Sequence, residues 1–138
     1  MAIVRTSTEW FSSRRLAVWW AILIAVLLLA PGSAVPTVPW WVPASIGGWA
    51  DCLVHGALFL VEALLVLRGT GGARTGALRQ GRWVLMLLAY ALLLELLQLQ
   101  VPGRSFQWMD IVSAALGIGI AVFWLRRRGT GMYSPTSG

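Results

Sequence analysis

A chain of 138 residues has the length of a single domain. Its apolar share is 58% and its charged share only 12%, against about 25% charged residues in a soluble domain, so the composition is that of a membrane protein. The net charge is +6 and every one of the eleven basic residues is arginine, but they flank apolar runs instead of alternating with aromatics, which excludes a face for nucleic acid.

The nine tryptophans agree, since tryptophan collects at the membrane–water boundaries. Cys52 is the sole cysteine, so no internal disulfide forms. It reads as a small packing residue. A thiol nucleophile would need a base, and His55 stands one turn away.

Residues 1–15 are polar, with Arg5, Arg14 and Arg15, and are expected to form a cytoplasmic N-terminal segment. Leu16 to Ala30 is uncharged and extends weakly to Val35. It is the shortest apolar run, close to the lower limit of about 17 residues for a span. A signal peptide ending at Gly32-Ser33-Ala34 is the rival reading. The three further apolar runs favour an uncleaved helix.

Residues 31–48 hold Pro31, Pro36, Pro39, Pro43 and the pair Gly47-Gly48. Proline lacks an amide hydrogen, so an uncharged loop is expected there. Trp40, Trp41 and Trp49 would lay it along the headgroup layer. Trp49 to Leu67 is the second expected span. Its Asp51, His55 and Glu62 fall within roughly 40° of one another on a helical wheel. Such a polar stripe should face other helices and not lipid.

Residues 68–82 carry Arg68, Arg74, Arg79, Arg82 and several glycines, and read as a flexible basic loop. Trp83 to Val101 is the third span, with Glu95 and Gln98 near its end. The turn Pro102-Gly103-Arg104-Ser105 follows. Trp108 to Leu125 is the fourth span, opened by Asp110, with Gly117 and Gly119 available for close helix contact. Arg126, Arg127 and Arg128 end it, and residues 126–138 are expected to be a disordered cytoplasmic tail.

The expected fold is all-α, a polytopic bundle of four transmembrane helices over residues 16–125. Arginine placement puts both termini and the central loop in the cytoplasm. At about 1.5 Å rise per residue, Asp51, Gln98 and Asp110 then lie roughly 10 Å outward of the midplane, and His55 and Glu95 roughly 5 Å. Arg104 lies just above them, and Glu62 falls on the inner half. Three helices thereby offer polar groups at matching depths, which makes Asp51, His55, Glu95, Gln98, Arg104 and Asp110 the candidate site. Each also has a plain structural use. The aspartates can cap helix starts, Gln98 can bond between helices, His55 can pair with Glu95, and Arg104 can anchor at the interface.

These residues resemble a known family. Asp51-Cys-Leu-Val-His55, then Glu95-x-x-Gln98, then Pro102-Gly103-Arg104 and Asp110 with Gly117 are similar to the VanZ-like family of small bacterial integral membrane proteins. The resemblance covers about Asp51 to Gly117, half of the chain. It departs at Ser113, where the family usually has asparagine. The resemblance implies a multi-pass protein of the bacterial cell membrane with a role in the cell envelope. The family's namesake is associated with resistance to teicoplanin-type glycopeptide antibiotics.

Three functions compete. The first is a non-catalytic protein that binds a lipid headgroup or cell-wall precursor at its outer face, with Arg104 as the anion contact. The second is an intramembrane enzyme using His55 and Glu95 as an acid/base pair. The third is an oligomeric proton- or cation-linked carrier using Glu62, Glu95 and His55. No HExxH, phosphate-cradling glycine loop or serine-hydrolase motif occurs, so the expectation leans against an enzyme. Neither a cofactor nor a metal is expected, although histidine with carboxylates suits zinc or manganese.

Overall fold

The computed structural model of the chain describes residues 7–34, 44–71 and 76–130. They form four helices: α1 (Ser7–Leu28), α2 (Ala44–Gly69), α3 (Ala77–Gln98) and α4 (Trp108–Thr130), with a short 3-10 turn at Gly32–Ala34. No strand occurs among the described residues.

Among the described residues, three helices are long and apolar enough to cross a membrane: Trp49–Gly69, Ala77–Gln98 and Trp108–Arg128, with mean hydropathy 2.0, 1.4 and 1.8. The expected fourth, α1, is not among them. Arg14 and Arg15 stand in its first half, and the uncharged part from Leu16 to Leu28 is ~20 Å long.

Several boundaries also move. α2 begins at Ala44 and includes Gly47 and Gly48, which were expected in the loop. Residues 35–43 lie outside the described residues. α3 begins at Ala77, so Arg79 and Arg82 are helical and not part of a flexible loop. α4 continues through Arg126, Arg127 and Arg128 to Thr130, past the expected start of the tail, and the remaining tail lies outside the described residues. Apolar periodicity sees where a span ends in lipid, whereas a helix continues into water while its backbone bonds and arginine side chains permit.

Side chain to backbone bonds set the directions. Trp20 Nε1 donates to Leu58 O at 3.1 Å and Arg14 Nε to Gly69 O at 3.1 Å, so α1 runs antiparallel to α2. Tyr90 Oη donates to Ala21 O at 2.6 Å and Gln98 Nε2 to Leu28 O at 2.8 Å, so α1 and α3 run parallel. Gln98 thus satisfies one of the carbonyls that the C-terminal end of any helix leaves without an intrahelical donor. Arg104 Nε does the same for Ala30 O at 3.4 Å.

α2 and α4 lie side by side and parallel. At their crossing the backbones nearly touch, because a Cβ placed on Gly117 would run into the Gly56 carbonyl oxygen. A Cβ on Gly56 would stand 3.2 Å from Ser113 O. Small residues permit this approach, the usual means of helix association in lipid. Gly119 has nothing near it, so only one of the two glycines singled out in the sequence serves the contact.

Between the helices lies a core that includes Ile24, Phe59, Ala63, Leu87, Ala91 and Ile118. Phe59 and Tyr90 stack at 5.9 Å between ring centroids. The outer surface is apolar as well: Leu53 is 72% exposed and Leu85 69%. Apolar side chains on the inside and the outside suit a lipid solvent.

One end of the bundle is basic, with Arg14, Arg68, Arg79, Arg82, Arg126, Arg127 and Arg128 on helix ends that meet there. Arg126 grips the buried Gln80 through two bonds to its Oε1, at 2.9 and 3.1 Å. Arg68 and Arg128 lie over the Trp124 ring at 4.9 and 3.8 Å. The opposite end carries Arg104 in a turn closed by Arg104 N to Val101 O at 3.1 Å. Pro102 and Gly103 are its central residues, and Gly103 has φ 78, the left-handed conformation that this kind of turn demands of its third residue.

Candidate functional site

The site grows from the parallel register of α2 and α4. Cys52 Sγ donates to Asp110 Oδ1 at 3.6 Å, one turn before the Gly56–Gly117 crossing. On α2 the next inward-facing polar residue is His55, whose Nδ1 lies 3.0 Å from Asp51 O. A carbonyl oxygen only accepts, so Nδ1 carries a hydrogen and donates. That bond fixes the ring and turns Nε2 toward α3, where Glu95 Oε1 stands 3.4 Å away. Asp110 Oδ1 lies 3.7 Å from Nδ1.

Glu95 is fixed as well. Its Oε2 accepts the backbone N–H of Gln107, the residue before α4, at 3.2 Å. Its Oε1 has no hydrogen-bond partner, and neither has His55 Nε2. His55, Glu95 and Asp110 are 4%, 2% and 3% exposed, so three ionisable side chains from three helices meet in a buried cluster. Buried polar atoms are nearly always paired, so two facing atoms without a partner stand out.

The six residues expected to form one outward crevice divide into two groups. His55, Glu95 and Asp110 converge, but they are buried and not open to the exterior. Asp51 contributes its backbone carbonyl and is half-buried. Gln98 and Arg104 turn to the C-terminal end of α1 and bond its carbonyls. Depth along the helices placed the six in one outward layer, but the angle around each helix sent them to different neighbours.

The secondary candidates stand apart. Glu62 is buried with Oε2 unpartnered, on the stretch of α2 nearer the basic end. Ser113 Oγ donates to its own helix at Asp110 O, at 3.0 Å. Gln80 was not singled out in the sequence. A polar residue so near the start of α3 reads as solvated, and only its pairing with Arg126 explains its burial.

Beside the triad lies an apolar groove of about 410 Å³ between α2 and α4. Its floor is Gly56, Ser113 and Gly117, and Leu53, Val112 and Leu116 form its rim. Cys52 lines the groove and touches Asp110, so its side chain joins the two compartments.

No family model, curated protein or solved structure matches this chain.

Proposed function

We propose that this chain is an integral membrane protein of the VanZ-like kind that holds a lipid-borne ligand between α2 and α4. The observation that carries this reading is the continuity from apolar groove to polar triad through Cys52. An acyl or prenyl chain suits the groove, whose lining is almost wholly apolar. The head then rests near Asp51 and Asp110, which offer acceptors. Hydroxyls of a sugar or glycerol, or an ammonium, match them better than a bare anion does. Arg104, the anion contact expected from sequence, spends its Nε on α1.

A lipid headgroup or a lipid-carried cell-wall precursor meets this description, and the envelope role and the teicoplanin-type resistance belong to the same proposal. In this reading α1 completes a bundle of four membrane helices. Its outward side bears Val18, Trp19 and Val26, each 60% or more exposed, which suits a lipid environment. The basic end is cytoplasmic and both termini lie on that side.

One observation favours a second reading, an intramembrane enzyme acting on the same ligand: His55 Nε2 and Glu95 Oε1 stand close enough to pass a proton. The carrier reading loses support, because no ion pair among the described residues links Glu62 to the triad.

A photoreactive lipid with a diazirine in its acyl chain tests the proposal on the full chain in detergent. Labelling is expected at Leu53, Val112 and Leu116, and Ala57→Trp, which fills the groove, should remove it. Equal labelling of the two proteins would discard the groove as a lipid site.

A further inference from the structure

We infer that His55, Glu95 and Asp110 bind a divalent transition-metal ion of the zinc–manganese class. The inference does not depend on what occupies the groove. It rests on four features of the triad.

The first is convergence. One ring nitrogen of His55 and one carboxylate oxygen each of Glu95 and Asp110 lie within 4.8 Å of one another, all three residues being buried. The second is the pair of orphans. With Nδ1 turned to Asp51 O, the neutral ring has its lone pair on Nε2. It faces the unpartnered Glu95 Oε1 at 3.4 Å. Ligand atoms around a tetrahedral zinc, each ~2.0–2.1 Å from the metal, stand ~3.3 Å apart, so these two need hardly move.

The third is the outer layer of bonds. A metal-bound histidine nearly always gives its other N–H to a carbonyl or carboxylate, and bound carboxylates are themselves hydrogen-bonded. Here Asp51 O takes the His55 hydrogen, the Gln107 amide holds Glu95 Oε2, and the Cys52 thiol holds Asp110. His55 Nε2 and Glu95 Oε1 are free, while His55 Nδ1 and Glu95 Oε2 are occupied.

The fourth is charge. Two carboxylates in a membrane interior are costly unless neutralised. No ion pair joins Arg104 to either of them among the described residues. A single proton between Nε2 and Oε1 cancels one negative charge, whereas a divalent ion cancels both. Three protein ligands leave a fourth position open, the pattern of sites whose metal also meets a water or a ligand.

The test uses the full chain in detergent, stripped with chelator and titrated with Zn²⁺ and, separately, Mn²⁺ or Co²⁺. One ion per chain should survive gel filtration, and Co²⁺ should give the visible d–d bands of nitrogen and oxygen ligands. Glu95→Gln and Asp110→Asn should weaken binding by at least ~100-fold, beyond the 10–100-fold of a lost outer partner. Glu62→Gln, away from the triad, should bind as the wild type does. If the variants fail to fold, the wild type alone decides: substoichiometric binding of every ion tried overturns the inference. Stoichiometric binding that persists in folded Glu95→Gln overturns it equally. A metal-binding protein that fails to label with the diazirine lipid would sink the groove and leave the metal site standing.

Discussion

His55 Nε2 and Glu95 Oε1 face each other at 3.4 Å across the α2–α3 boundary, and neither has a hydrogen-bond partner. Each makes sense only through the other and through what lies between them. The two residues should therefore be strongly coupled. In a double-mutant cycle of His55→Ala and Glu95→Gln, the coupling should reach ~0.5–3 kcal/mol, the range for residues in one buried network. Glutamine is the right replacement because it keeps an acceptor for the Gln107 amide. Unfolding in mixed micelles measures the cycle, and additive effects would mean that the pair is a coincidence of packing.

Gly117 and Gly119 offer a sharper contrast. A methyl group on Gly117 meets the Gly56 carbonyl, which belongs to helix backbone and cannot step aside. Gly117→Ala should cost ~1–3 kcal/mol by forcing α2 and α4 apart. A methyl group on Gly119 meets nothing. Gly119→Ala should be neutral or stabilising by up to ~1 kcal/mol, since alanine favours the helix. The same unfolding measurement in micelles separates them; equal losses would contradict the crossing.

The arrangement of arginines predicts sidedness. In a Cys52→Ser background, Ser105→Cys and Arg79→Cys place single thiols at exposed positions on opposite ends of the bundle. A membrane-impermeant maleimide applied to intact cells should label the first and spare the second until the membrane is opened. The reverse pattern would invert the proposed orientation.

Much of the architecture was legible in the chain itself. The apolar runs marked α2, α3 and α4, because lipid imposes length and composition on any helix that crosses it. Pro102-Gly103 marked the turn, because few other pairs tolerate its backbone. That His55, Glu95 and Asp110 come level with one another was also readable, because rise per residue is nearly constant.

Rotation and neighbourhood were not readable, and these the tertiary structure decided. Gln98 and Arg104 share the depth of the triad, but they face α1 and serve its carbonyls. Gln80 is buried only because Arg126 arrives from α4, far along the chain. α1 runs antiparallel to α2 and parallel to α3, which its apolar run alone did not reveal. The amino-acid order thus set which side chains were available at each level of the membrane. Contact between helices, governed by Gly56 and Gly117 at the α2–α4 crossing, settled which of them meet.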